Sequence, residues 1–300
     1  MGPGIALTLA LAKHPVTLVG RSSESVARGL TAVDHALAQL RAERLTTARS
    51  AFAARRRIQG ARDLAAAVGR AAFVFESVAE DLDLKQQLFG QLDQLAPRQA
   101  IFASNTSGLP ITRIAERMAR PERAATAHFW NPAHLMPLVE LVKGELTSDT
   151  TIDALGQVLG AAGKRTVVVR KDVPGQLGNR LQHALYREAF HIIQEGVASV
   201  EDVDIAIKYG PGLRFPAYGL LEHADMVGLD LVQAIDSYLF PALSSADAPP
   251  AFLSALIARG DLGAKSGRGL YDWTERSAAE VLAARDRFIA ARLRDARHIP

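Results

Sequence analysis

The chain has 300 residues, of which 48% are hydrophobic and 22% charged, with a net charge of +3 and no cysteine. That length allows one large domain or two medium ones with ample core, and the missing cysteines exclude disulfides, a thiolate nucleophile and a cysteine-ligated metal. No apolar run nears the ~18 residues of a membrane span, and 6% aromatics without a base-stacking motif argue against nucleic acid.

"MGPGIALTLALAK" reads as a helix with Gly2 and Gly4 at its tip, or as a frayed chain start. "GIALTLALA" has no basic segment before it and no small-residue cleavage site after it, so the reading is a cytoplasmic protein without a leader. "PVTLVG" (15–20) follows as a buried strand. A helical pair comes next over "SESVARGLTAVDHALAQLRAERLTTARSAFAARRR", with Ser22 or Ser23 as its N-cap. Its basic residues suit either a solvated face or an anionic ligand.

Further strands are expected at 71–78, 99–105, 123–129, 137–142 and 165–170, with "DLKQQLFGQLDQLA" as a helix between the first two. They are short, apolar and β-branched, as parallel strands covered on both faces should be. The alternation predicts an α/β fold with a doubly wound, mostly parallel sheet over 1–171. The Pro/Gly break "KDVPGQLGNR" opens a second, all-α domain over 172–300 with five helical stretches and a loop at 244–250.

Three stretches carry chemistry. Gly2 and Gly4 are what remains of a G-x-G-x-x-G turn that brings pyrophosphate to a helix N-terminus. "SNTSGLPIT" (104–112) sits at the carboxyl end of a strand, where open α/β sheets bind ligands; it reads equally as a loop capping the next helix through Thr106 or Ser107. "AHFWNPAHLMPLVELV" (127–142) holds His128 at a strand end and Glu140 inside an apolar strand, where an ionised carboxylate needs a partner. A histidine at a strand end reads as a satisfied structural residue or, when a buried carboxylate holds its imidazole, as a general acid/base. No metal site is expected.

Together "SNTSGLPIT", "HFWNPAHLMPLVELV", "DVPGQLGNRL" and "GAKSGRGLYDW" resemble the 3-hydroxyacyl-CoA dehydrogenase family, in order from Gly2 to Trp273. The resemblance implies a Rossmann-type cofactor domain followed by a helical domain that closes the substrate cleft and forms a homodimer. It implies His128 as the acid/base at the substrate hydroxyl and Glu140 as its orienting carboxylate. Ser107 would bond the substrate oxygen and Asn179 would hold the substrate near the hydride path. Gly2, Gly4, Arg21, Glu80, Lys85, Asn105 and Asn131 would line the site of NAD or NADP.

The chain departs from that pattern in three places. The strand and first glycines of the cofactor fingerprint are missing, so the resemblance implies that they belong ahead of Met1. An acidic residue usually closes the second strand in NAD-preferring relatives; here stand Gly20, Arg21 and Ser22, which suit a 2′-phosphate and hence NADP. "PGQLGNR" and "GLRFPAYGLLEHADMVGLD" lean toward a branch acting on free hydroxy acids such as gulonate or carnitine. The expected function is a short-chain (S)-3-hydroxyacyl-CoA dehydrogenase. The rivals are a dehydrogenase of a free hydroxy acid and a non-catalytic binding protein on the same scaffold.

Overall fold

Helix and strand alternate from Gly2 to Val169 in the computed structural model, which describes residues 1–296. The order is α1 (Gly2–Leu11), β1 (Val16–Val19), α2 (Ser23–Ala42), α3 (Ala48–Arg57), β2 (Ile58–Ala61), α4 (Leu64–Val68) and β3 (Phe73–Glu76). Then come α5 (Leu82–Leu95), β4 (Ile101–Ser104), α6 (Ile111–Ile114), β5 (Ala124–Phe129), β6 (Leu138–Val142), α7 (Asp149–Ala161) and β7 (Arg165–Val169). The rest is helical: α8 (Gly178–Gln194), α9 (Val200–Tyr209), α10 (Pro211–Arg214), α11 (Leu220–Val227), α12 (Leu229–Leu239), α13 (Ala251–Ala258) and α14 (Ala278–Ala296).

All six expected strands form, and β2 is a seventh that the sequence pattern did not reveal. It is four residues long, carries a glycine, and is ordered by parallel pairing with β1, Val16 opposite Ile58. The strands make a two-stranded sheet, β1-β2, and a five-stranded sheet, β3-β4-β5-β6-β7. Among the described residues no strand joins β1 to β3. All neighbours run parallel except β5 and β6, which are antiparallel.

Local chemistry sets the element ends. Ser22, not Ser23, caps α2: its Oγ accepts from Ser25 N, and Ser25 Oγ accepts from Ser22 N. Neither Thr106 nor Ser107 caps α6, whose N-cap is Pro110; Thr106 Oγ1 instead accepts from Leu109 N at 2.9 Å and shapes the loop after β4. The single helix expected over 220–243 is broken between α11 and α12 at Gly228, whose φ of +100° lies outside the helical range.

The chain divides into two compact units. One is Met1–Asn179 together with the chain from Leu282 on; the other is Arg180–Val281. The sequence reading divided the chain at 171/172 and assigned the whole tail to the second part. The compact units divide at Asn179, and from Leu282 on the last helix belongs to the first unit for a packing reason: Ala290 is fully buried in one cluster with Leu7, Ala10, Val33, Leu37 and Ala54. Asp286 and Arg294 on α14 also bond Gln39 and Glu43 at the end of α2. In the first unit Ile5 and Leu9 of α1 join Ala125, Ala127, Phe129, Val139 and Leu141 of the sheet in a second core cluster.

Candidate active site

The antiparallel register sets His128 directly opposite Glu140. Opposed residues of such a pair project on the same face within side-chain reach. His128 Nδ1 lies 2.8 Å from Glu140 Oε2. With the carboxylate ionised, Nδ1 carries the proton and Nε2 keeps a free lone pair, a tautomer assigned from the hydrogen-bond partner.

Glu140 is wholly buried and His128 is 6% exposed. The carboxylate has four donors. Oε2 accepts from His128 Nδ1 and from Trp130 Nε1 at 3.1 Å; Oε1 accepts from the backbone N–H groups of Leu177 at 3.0 Å and Gly178 at 2.7 Å. Burial works to raise its pKa, but the bonds from His128, Gly178, Trp130 and Leu177 outweigh it and hold the group at about 2.

A sharp turn delivers the two backbone donors. Gly175 and Gln176 both hold left-handed backbone, φ +78° and +53°, so the next two N–H groups converge at the start of α8. The amino end of that helix favours the negative charge it faces. Gln176 is buried; its Nε2 donates to the Thr106 carbonyl oxygen at 3.0 Å, while its Oε1 has no partner among the described residues. One turn therefore joins Glu140 to the loop after β4.

That loop carries Ser107. Its backbone N–H donates to Glu80 Oε1 at 3.1 Å, and its carbonyl oxygen accepts from Asn179 Nδ2 at 3.1 Å. Glu80 also accepts from the Thr106 hydroxyl and from Gly108 N, and lies 3.4 Å from Lys85 Nζ. Burial pushes its carboxyl upward, but the Thr106 hydrogen bond and the Lys85 charge win and hold it below its ordinary value. Asn105 Oδ1 accepts from Phe129 N at 2.8 Å, tying the end of β4 to the end of β5.

Lys85, expected to line the cofactor site, is directed into the protein interior. It is 1% exposed, and its ammonium donates to both oxygens of the buried Glu76, at 2.7 and 2.9 Å. Glu76 also accepts from Ser104 Oγ and Val78 N, both at 2.6 Å. The pair is an internal brace that fixes the turn after β3, and through it Glu80.

The remaining cofactor candidates lie along the same edge. A Cβ built on Gly2 would stand 3.9 Å from Ser77 and 4.0 Å from Leu18, so the tip of α1 rests between the carboxyl ends of β3 and β1. Gly4 lies against Ala133, in the turn that follows Asn131 and the cis Asn131–Pro132 bond; Asn131 itself is exposed. Arg21 is exposed just past β1, and Arg62 Nη1 reaches Ser23 Oγ at 3.4 Å beside it. A helix amino end, hydroxyls and guanidinium groups along one sheet edge are a donor set that fits a nicotinamide dinucleotide. Among the described residues no group of three His, Asp or Glu side chains gathers as a metal site, and no helix is long and apolar enough to cross a membrane.

Sequence reasoning missed Glu76, Trp130 and Gln176. Glu76 carried the signal that revealed Glu140, a carboxylate in an apolar strand, "FVFE". Trp130 carried none, because its indole N–H matters only through a contact that folding creates.

Residues 1–173 match the family model described as "3-hydroxyacyl-CoA dehydrogenase, NAD binding domain", and 175–273 match "3-hydroxyacyl-CoA dehydrogenase, C-terminal domain". The chain belongs to the 3-hydroxyacyl-CoA dehydrogenase family. Family members are NAD-dependent dehydrogenases acting on CH–OH groups. The chain is 35% identical over 280 residues to human mitochondrial hydroxyacyl-coenzyme A dehydrogenase, covering 91% of this chain and 88% of that protein. It is 34% identical over 229 residues to 5-formyl-3-hydroxy-2-methylpyridine 4-carboxylate 5-dehydrogenase of Mesorhizobium japonicum, covering 76% and 74%. A crystal structure of a 5-dehydrogenase of that name, described as an NAD+-dependent dismutase, superposes with a TM-score of 0.89 at 30% identity, over 97% of this chain and 93% of that one. The Rossmann-type sheet followed by a helical domain matches these family structures.

Proposed function

We propose that the protein interconverts an (S)-3-hydroxyacyl-CoA and its 3-oxoacyl-CoA, with a short acyl chain. The observation that carries this reading is the buried His128–Glu140 pair at 2.8 Å, joined through one turn to the loop that carries Ser107, whose carbonyl oxygen accepts from Asn179 at the start of α8. His128 Nε2 takes the proton of the substrate hydroxyl during oxidation and returns it during reduction. Glu140 holds Nδ1–H, fixes the tautomer and offsets the charge of the imidazolium. The Ser107 hydroxyl bonds the substrate oxygen and shares its developing charge. Asn179, tied to the Ser107 carbonyl, keeps the substrate aligned.

The bound nicotinamide dinucleotide supplies the hydride acceptor or donor. The tip of α1 at Gly2 and Gly4 would hold its pyrophosphate, and Glu80, Asn105 and Asn131 would line the nicotinamide side. Lys85 acts there indirectly, by holding Glu80. Arg21, with Ser22, Ser23 and Arg62 beside it, favours the 2′-phosphate of NADP; no acid stands there to accept from a free ribose 2′-hydroxyl. The working form is a homodimer through the helical domain.

A second reading has specific support. The 0.89 superposition is with an enzyme named for a pyridine carboxylate and not for a CoA ester. On that reading the same four residues act on a free hydroxy acid. Steady-state rates with (S)-3-hydroxybutyryl-CoA and free (S)-3-hydroxybutyrate, each with NAD+ and NADP+, decide. The CoA ester is expected to have the higher kcat/KM by at least about tenfold, roughly the value of a well-made additional contact. Turnover of free hydroxy acids alone establishes the second reading. Dinucleotide binding without turnover of either class leaves a binding protein.

A further inference from the structure

Glu140 Oε2 serves two donors at once, the imidazole and the indole. His128 Nδ1 approaches it at 2.8 Å from β5, and Trp130 Nε1 at 3.1 Å from the turn just past β5. The two rings lie 6.0 Å apart, centroid to centroid, and tilted, so they converge on the oxygen without stacking on each other. Across the carboxylate, Leu177 N and Gly178 N saturate Oε1. Every lone-pair direction of a buried carboxylate is thus assigned, and the indole claims one that would otherwise serve the imidazole alone.

Trp130 reaches this position because residue 178 has no side chain. A Cβ there would lie 2.4 Å from Trp130 Cζ2, closer than real Cβ contacts come, and 3.2 Å from Cε2. Gly178 has a negative φ, so it is not required by backbone strain; close approach of the ring is what requires it. The same residue donates its N–H to Oε1. The indole, the glycine and the carboxylate form one packed unit.

We propose that Trp130 is a positioning residue for the acid/base: its N–H shares Oε2 of Glu140 with His128, Gly178 provides the space, and the strength of the Glu140–His128 bond is set by this competition. The proposal rests on the reading of His128 as the acid/base. A donor on the shared oxygen withdraws negative charge from the imidazole side, so removing it leaves the carboxylate a stronger partner for the imidazolium.

The test is the acid limb of the kcat/KM–pH profile in the direction of alcohol oxidation, which requires neutral His128. Trp130→Phe should move that limb to higher pH by on the order of 0.5 unit, as expected for loss of one charge-assisted bond shared within a network. Replacement of Trp130 by benzothienylalanine, which keeps the ring shape without the N–H, should move it equally. Gly178→Ala, which pushes the indole aside, should reproduce the shift, and the W130F/G178A double variant should show no further shift. A limb that stays in place in Trp130→Phe, or shifts that add in the double variant, overturns the proposal.

Should the variants fail to fold, the indole proton decides. The chain has two tryptophans, so Trp273→Phe leaves Trp130 as the single indole signal. A resonance displaced downfield, as for a carboxylate-bonded donor, is expected; one at the free-indole position overturns the proposal. Failure here is distinct from failure of the functional reading: if His128→Gln abolishes turnover while Trp130→Phe leaves the limb in place, only the role of Trp130 falls.

Discussion

His128 and Glu140 are register partners across the antiparallel pair β5/β6, twelve residues apart in sequence and 2.8 Å apart at their side chains. The sheet itself sets the geometry of the proposed proton-handling pair, so no loop has to close to bring the two together. His128→Gln should leave the fold intact and lower turnover by roughly 10²–10⁴, the usual contribution of a general acid/base. Glu140→Gln should also lower turnover. It removes the charge that favours the imidazolium, so the acid limb of the oxidation profile should move to lower pH, opposite to the shift expected for Trp130→Phe. Near-normal turnover in His128→Gln would refute the assignment.

Glu140 also couples stability to acid. Its carboxyl is drawn from 4.5 to about 2, so the folded chain binds a proton at this site less readily than the unfolded chain. The stability this contributes is complete above about pH 4.5 and is lost as pH falls through about 2. Thermal melts of wild type and Glu140→Gln between pH 6 and 2 should therefore converge as the solution is acidified. A gap that stays constant over that range would show that the ionised form is not specifically favoured.

Lys164 titrates in the other direction. It is 8% exposed, donates to the carbonyl oxygens of Ala133 and Met136 at 2.6 and 2.8 Å, and burial lowers its pKa from 10.5 to about 8. Between those values the unfolded chain holds more protons than the folded one, so this group makes stability rise with pH from about 8 to 10.5. Lys164→Met should be destabilised at every pH, because two buried carbonyls lose their donor. Its melting temperature should fall further below that of wild type as pH climbs from 8 to 10. Parallel curves would refute the shift.

Much of this was legible in the chain, for reasons particular residues make plain. Glu140 stood out because a carboxylate in "PLVELV" needs a partner, and His128 was the titratable neighbour twelve positions back. The other six strands declared themselves by apolar, β-branched runs. β2 did not, because "IQGA" has no apolar alternation and is ordered by its pairing with β1. The backbone donors Leu177 and Gly178 have no side-chain signature; "VPGQ" announced a break, and only its left-handed geometry shows that the break aims two N–H groups at a carboxylate. The buried pairing of Lys85 had no signature in the chain, because its partner Glu76 lies nine residues away on another element.

The proposed preference for NADP turns on Arg21. It stands past β1 beside the Ser22 cap of α2, with Arg62 bonded to Ser23 on the neighbouring strand end. Arg21→Ala should raise the Kd of NADPH by about tenfold, the order of one charge-assisted phosphate contact, and leave that of NADH nearly unchanged. Arg62→Ala should act in the same sense. Equal losses for both dinucleotides would mean that neither arginine reads a 2′-phosphate.

Assembly gives the last prediction. Within Arg180–Val281 no side chain is buried, although the segment holds most of the large exposed apolar residues of the chain. Leu221 is 81% exposed, Tyr209 75%, Met226 70% and Tyr238 70%. Helices with apolar faces bury them against something, and so many exposed large apolar side chains in one segment point to a covered face. A second copy of the chain supplies a matching face by two-fold symmetry without any other partner. Light scattering at micromolar concentration should give about twice the 32.2 kDa chain mass. Leu221→Glu combined with Met226→Glu, on α11, should shift the protein toward monomer and lower its melting temperature in a concentration-dependent way. The first unit has its own buried clusters, so its fold should survive the change, and dinucleotide titration of the double variant should still show binding. A wild-type chain that runs as a monomer at these concentrations, with the same melting temperature at every dilution, would rule the dimer out.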